Sequence, residues 1–171
     1  MSRPALLRLA YALMTLSVVF LDQATKAMVV SRMTLYSSAP VIPGLFQITL
    51  VTNRGALFGL FHDLPDPFRS TLFTAVPLLA IALMFVFQYR TTIHDLATQA
   101  GLALILGGAL GNLIDRIRLG YVIDFLDVFV GEHHWPAFNV ADSCICVGVA
   151  CLVFDLLARG WRPQTAPPTG A

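Results

Sequence analysis

Four stretches of this chain are long, apolar and almost free of charge. Leu9 to Leu21 carries none, and the apolar character continues past Asp22 to Val30. Ser70 to Tyr89 is an unbroken run of 20 residues between Arg69 and Arg90, and Leu96 to Ile114 is another of 19. Pro136 to Phe154 is interrupted only by Asp142. A helix needs about 20 apolar residues to cross a hydrocarbon core, so the pattern predicts four membrane-spanning helices. Pro77 falls inside the second span, where neighbouring helices can satisfy the carbonyl it frees. Gly107 and Gly111 stand one turn apart on the third, a small-residue face suited to close helix contact.

The connections carry a different pattern. Phe46, Ile48 and Leu50 alternate with Gln47, Thr49 and Val51, which is strand periodicity. Asn53-Arg54-Gly55 reads as a turn, Ala56 to Phe61 as a second short apolar run, and His62 to Pro67 as a breaker segment leading back to the membrane. A small hairpin or sheet on the membrane surface is expected between Ser31 and Phe68. Ile117 to Trp135 mixes apolar residues with Asp124, Asp127 and Glu132, and its periodicity fits a strand or a short amphipathic helix. The expected architecture is an α-helical membrane protein: four spans, a small β element, and a second outer loop or short helix. Residues 1–160 form one domain in this reading, and the Pro/Thr/Gly-rich tail 161–171 is predicted to be disordered.

Four spans place both termini on one side. Asp22, Asp115, Asp124 and Asp142 then gather at the other side, with the two longer connections. Basic residues do not fix which side is which. Five (Arg3, Arg8, Arg90, Arg159, Arg162) lie with the termini and six (Lys26, Arg32, Arg54, Arg69, Arg116, Arg118) lie opposite. The pair preceding the first span favours cytoplasmic termini. Arg3 and Arg8 before an apolar run also resemble a secretory signal, yet that run continues into Asp22 and Lys26. The small-residue cleavage candidate Ser37-Ser38-Ala39 is followed by Pro40, so an uncleaved first span is expected.

Composition agrees with a membrane protein. Of 171 residues 57% are hydrophobic and 12% charged, about half the charged fraction of a soluble domain; mean hydropathy is +0.74. A net charge of +1 offers no electrostatic footprint for nucleic acid. Cys144, Cys146 and Cys151 share one apolar run without CxxC or Cys/His ligand spacing, and read as small core residues.

Ionisable groups beside lipid are expensive and call for an explanation. Asn112, Asp115 and Arg116 stand at i, i+3 and i+4 on the third span, and Asn139 and Asp142 at i, i+3 on the fourth. Any one of them could be a helix cap or an interfacial ion pair. Their convergence on one face points instead to a site built on two carboxylates. Such a pair cannot ionise twice cheaply, so one member keeps a proton while the other can activate water. No HExxH is present, and Glu132-His133-His134 has the wrong spacing for helical metal ligands and reads as a solvated loop. Ser143 lacks a GxSxG context, and Gly107 to Gly111 lack the Lys-Ser/Thr of a phosphate loop. Neither metal nor cofactor is expected. Ion transport or a purely structural role remain rivals, though the first predicts acidic groups near mid-bilayer and the second leaves Asn112, Asp124, Asn139 and Asp142 unexplained.

The chain resembles bacterial lipoprotein signal peptidase (signal peptidase II), a membrane aspartic endopeptidase. The resemblance rests on Leu21-Asp22-Gln23-Ala24-Thr25-Lys26, Asn53-Arg54-Gly55-Ala56, Gly107 to Arg116, Val122-Ile123-Asp124-Phe125 and Pro136 to Ser143, in that order. It implies cleavage of diacylglyceryl-modified prolipoproteins before the lipidated cysteine, with Asp124 and Asp142 as the catalytic pair. It chooses Asp124 over Asp115. Asn53, Asn112, Arg116 and Asn139 would position substrate or support the pair, while Asp22, Lys26 and Asp115 would support the site structurally. The resemblance also implies a cytoplasmic (inner) membrane location, cytoplasmic termini, an extracytoplasmic active site, and a β cradle for the lipid-bearing substrate. Membrane lipids and globomycin-type inhibitors are the other implied partners. Arg54 and Leu57 depart from the small residues usual in the Asn53 block. The presenilin-type GxGD block is absent, because Gly120 and Asp124 have the wrong spacing.

Overall fold

A computed structural model describes residues 2–55 and 66–160. The segment 56–65, which includes Leu57 and most of the apolar and breaker stretches, lies outside the described residues, as does the tail 161–171. Among the described residues there are four helices: α1 (Arg3–Arg32), α2 (Asp66–Arg90), α3 (Leu96–Leu119) and α4 (Val140–Gly160). All four are long and apolar enough to cross a membrane.

The helices are not equivalent. Within its apolar window α3 is 67% buried, against 6%, 0% and 11% for α1, α2 and α4. The sequence explains this. Large apolar residues such as Phe20, Leu83, Phe87, Phe154 and Leu156 are exposed on α1, α2 and α4, whereas α3 carries glycines, alanines, Thr98, Gln99 and Asn112. Lipid tails are as apolar as leucine, so spans associate through close backbone approach and polar contacts. The predicted Gly107/Gly111 face does pack against α1. A Cβ on Gly107 would sit 2.6 Å from Val18 Cβ, and one on Gly111 2.6 Å from Asp22 Oδ2. A second row, which spacing alone did not single out, faces α4: Gly108 lies against the Ala141 carbonyl, and Gly101 against Gly148.

Helix ends differ from the charge-free runs for identifiable reasons. α3 continues beyond Ile114 because Asp115 finds buried partners, and it stops where the Gly120 N–H returns to the Arg116 carbonyl at 3.0 Å. α4 begins at Val140 rather than Pro136. Residues 136–139 run extended instead, since Phe138 exchanges backbone hydrogen bonds with Leu126 at 2.8 and 3.0 Å. The three cysteines are not core residues: Cys146 is exposed and Cys144 and Cys151 are half-buried.

The connections form one antiparallel sheet of order β1-β2-β3-β4, comprising β1 (Ser38–Ile42), β2 (Phe46–Asn53), β3 (Val122–Val130) and β4 (His133–His134). The alternation that predicted β2 holds, and the ambiguous second connection is the strand β3. Its ambiguity has a cause: Val122, Ile123, Asp124 and Phe125 are all buried, so no polar face alternates with an apolar one. One extra residue on β2 between Ile48 and Val51 shifts the register and sets Val51 opposite Asp124. Glu132-His133-His134 is a hairpin tip rather than a loop. The His134 Nδ1 lies 2.9 Å from both Asp127 oxygens, and its ring stacks on Phe129 at 4.7 Å.

Candidate active site

Two carboxylate arrangements lie at the same end of the bundle. The first surrounds Lys26. Its ammonium reaches Asp22 Oδ2 at 2.8 Å, Asp115 Oδ2 at 2.8 Å and Asn112 Oδ1 at 2.9 Å, so all three N–H donors are used. Asp22 and Lys26 are one turn apart on α1, which places both on the face that Gly111 allows α3 to approach. Asp22, Lys26 and Asp115 are essentially inaccessible, at 0%, 2% and 3% exposure. Asp115 pairs with Lys26, 89 residues away, and not with its neighbour Arg116. Gln23, which sequence reasoning did not single out although it lies inside the Asp22–Lys26 block, donates to Asp115 Oδ1 at 2.8 Å, Gly111 O at 3.2 Å and Asp22 Oδ2 at 3.3 Å.

This cluster fixes backbone. Asp115 Oδ2 accepts the Ile123 N–H at 3.2 Å, and Asp22 Oδ1 accepts the Ala141 N–H at 3.0 Å. Ile123 and Ala141 immediately precede Asp124 and Asp142. The ion cluster thus holds both carriers of the second arrangement, β3 and the start of α4.

That second arrangement is built around Asn139, which is wholly buried. Its side-chain oxygen accepts the Asp142 N–H at 2.9 Å, while Asp142 Oδ2 accepts the Asn139 N–H at 3.3 Å. This is a reciprocal capping box at the start of α4. Capping and site-building are therefore one device here, not alternatives. The Asn139 amide nitrogen is left free to donate to Asp124 Oδ1 at 2.7 Å, Asn112 Oδ1 at 3.2 Å and Ile123 O at 3.3 Å. Asn112 donates in turn to Asp142 Oδ1 at 2.8 Å. Asn53 closes the other side of Asp124, donating to Oδ2 at 3.1 Å. Its orientation is set by the predicted turn: Asn53 Oδ1 accepts the Gly55 N–H at 2.9 Å, which turns the NH2 towards the strand. Gly55, at φ +94°, is backed by the ring of Phe73 from α2, where a Cβ would meet it at 2.5 Å.

The structure thus brings together Asn53, Asn112, Asp124, Asn139 and Asp142, with Asp22, Lys26 and Asp115 directly behind them. Arg116 stands apart, half-exposed beside Asn53, Arg54, Phe73, Thr74 and Gly120 and within electrostatic reach of Asp142, Asp124 and Asp115. Among the described residues neither Asp124 nor Asp142 has an ion pair. Burial, and next the charge of Asp142, push the Asp124 carboxyl up to about 6; hydrogen bonds from Asn53 and Asn139 and the charge of Lys26 oppose the shift. A carboxylic acid held beside a second carboxyl group can donate a proton while its neighbour accepts one.

Known proteins are similar to this chain in sequence and in fold. The model of the signal peptidase (SPase) II family matches residues 14–158. The lipoprotein signal peptidase of Syntrophus aciditrophicus is 49% identical over 142 residues, 83% of this chain and 88% of that protein. That of Geobacter metallireducens is 47% identical over 155 residues, 91% of this chain and 94% of that protein. A solved bacterial membrane enzyme structure obtained by the in meso method at 2.3 Å superposes with a TM-score of 0.80 and 31% identity, covering 92% of this chain and 93% of the other. A second, at 1.9 Å, gives 0.76 and 32% over 86% and 92%. Four membrane-spanning helices, the antiparallel sheet and these similarities agree: the chain belongs to the signal peptidase II family of membrane peptidases.

Proposed function

We propose that this protein removes signal peptides from diacylglyceryl-modified prolipoproteins by hydrolysing the bond before the lipidated cysteine, with Asp124 and Asp142 as an aspartic dyad. The observation that carries this reading is Asn139. One buried side chain holds the Asp124 carboxyl and the Asp142 backbone, so the two acids are set against each other without a neutralising cation between them.

In the mechanism, Asp142 is the base and Asp124 the acid. Asp142 is anchored in the first turn of α4 by N–H donors from Asn139 and Asn112, and the positive end of a helix suits a carboxylate. Asp124, raised to about 6 by burial and by Asp142, keeps its proton and presents it to the scissile carbonyl. Water attacks the carbonyl carbon, giving one proton to Asp142, while the Asp124 proton passes to the carbonyl oxygen. The Asp142 proton then moves to the leaving nitrogen as the C–N bond breaks, and the diol hydroxyl returns a proton to Asp124. The products are the signal-peptide carboxylic acid, which ionises on release into water, and the free amine of the lipidated cysteine. No covalent enzyme intermediate forms.

Asn53, Asn112 and Asn139 hold the dyad, Arg116 positions substrate at its edge, and Asp22, Lys26 and Asp115 form the frame behind it. The sheet lies on the extracytoplasmic face of the cytoplasmic (inner) membrane and cradles the lipid-bearing segment, with both termini in the cytoplasm. A globomycin-type inhibitor is expected to compete for the same face. The test is mass spectrometry of the products formed by the full chain from a prolipoprotein with and without its diacylglyceryl group, in H2(18)O. Cleavage confined to the modified substrate, before the cysteine, with one labelled oxygen in the new carboxylate supports the reading. Cleavage elsewhere, or equal cleavage of the unmodified protein, refutes it.

A further inference from the structure

A second concavity lies away from the carboxylates, at the end of the bundle that holds the α2–α3 turn. Among the described residues α2 packs on α3 and scarcely meets α1. A cleft of about 1010 Å3 separates α1 from α2, with α3 as its floor. Leu16, Leu78, Ile81, Phe85, Leu106 and Leu110 make most of its length apolar. One end is polar, formed by Arg8, Tyr11, Thr91 and Gln99.

Gln99 gives this end its chemistry. It is 2% exposed, and its Nε2 donates to the Gln88 and Thr91 carbonyls, both at 3.1 Å, closing the C-terminal turn of α2. Those two carbonyls fix which way the amide points. Its Oε1 is the one buried side-chain polar atom among the described residues without a hydrogen-bond partner. An orphaned acceptor in such surroundings is costly and wants a donor. Among the described residues Arg8 is the only charged one lining the cleft.

We propose that this cleft is a binding site for one anionic phospholipid. An acyl chain lies along the apolar length between α1 and α2, the phosphate meets Arg8, and a headgroup or glycerol hydroxyl supplies the donor at Gln99. Basic pockets between spans recognise anionic headgroups in this manner. The charge argues against the other apolar occupant of a membrane, the helix of a signal peptide, because its leading end is basic and would face Arg8. The site does not depend on the peptidase reading. The helix α2 that walls the cleft also carries Phe73, which backs Gly55 in the turn that aims Asn53.

The test is native mass spectrometry of the delipidated full chain in detergent, titrated separately with dioleoyl phosphatidylglycerol, dioleoyl phosphatidylethanolamine and dioleoylglycerol. One tightly held phosphatidylglycerol is expected, with weaker retention of phosphatidylethanolamine and weakest of dioleoylglycerol. Arg8→Gln should weaken phosphatidylglycerol about fivefold and leave dioleoylglycerol unchanged. Ala82→Trp, which fills the cleft from a lipid-facing helix, should abolish the one-to-one adduct; a melting curve like that of the parent shows that the variant is folded. Equal adducts with all three lipids, or an adduct untouched by both variants, would overturn the proposal and leave only annular lipid. So would displacement of the lipid by a synthetic signal-peptide helix with a basic leading end.

Discussion

The carboxylates around Lys26 and those around Asn139 lie side by side, Asp22, Asp115 and Asp124 buried and Asp142 half-buried, yet they are satisfied by opposite means. Asp22 and Asp115 share a cation whose every N–H is used, and Asp22 Oδ1 and Asp115 Oδ2 also hold backbone amides of α4 and β3. Among the described residues Asp124 and Asp142 have only neutral amides as partners. Carboxylates that share a buried cation are locked in one geometry and act as a rivet. Two acids bridged by an amide share the cost of ionisation and can pass a proton between them. Identical side chains at one end of one bundle are thus divided into a frame and a proposed working pair by what their neighbours donate.

Removing the cation should produce the largest change in stability. Lys26→Met leaves Asp22 and Asp115 buried without their partner, and a loss of about 3–5 kcal/mol is expected from breaking a buried pair on one side. Chemical denaturation in detergent checks this. The loss of activity should follow the loss of folded protein, so that whatever folds still cleaves. Asn139→Ala reverses the balance. The missing cap costs about 1 kcal/mol, while the cleavage rate should fall roughly a hundredfold as the acids lose their common anchor.

Titration separates the two regions further. Below about pH 6 Asp124 holds its proton, so the kcat/KM profile of the free enzyme should have its descending limb near that value. Asn53→Ala removes a hydrogen bond that favours the charged form, and the limb should move to higher pH. Stability responds in the matching direction. A carboxyl raised above its unfolded value of 3.8 binds more protons folded than unfolded, so its contribution is present at low pH and is lost as pH rises towards about 6. Melting temperatures across that window should fall less in Asp124→Asn than in the parent. The smallest effect is expected at the sheet tip. His134 is 46% exposed in its pair with Asp127, and His134→Ala should cost less than about 1 kcal/mol without changing cleavage.

The spans and the Gly107/Gly111 face were legible in the sequence because lipid imposes a length and close helix contact imposes small residues. β2 was legible from its alternation. β3 was not, because burial on both faces erases the period-2 signal at Val122 to Phe125. Asn139 and Asp142 could be read as a cap, yet the donation from Asn139 to Asp124 depends on the fold alone. Asp115 and Arg116 look like neighbours for pairing, but the partner of Asp115 arrives from α1. The choice of Asp124 over Asp115 came from family resemblance, and the geometry supplies a physical reason for it: Asp115 is already committed to Lys26. Gln23 carried no signal beyond its place between Asp22 and Lys26. The cysteines misled because an apolar run in a membrane protein faces lipid as often as protein.

The central claim is that Asp124 and Asp142 perform the hydrolysis while Asp22 and Asp115 hold them. Its most direct test is the single-turnover cleavage of a lipidated prolipoprotein by Asp124→Asn and Asp142→Asn, each measured beside its own melting curve. A rate lowered by roughly 10³-fold or more in both variants, with melting near that of the parent, is expected. Parent-like turnover in either folded variant would contradict the claim.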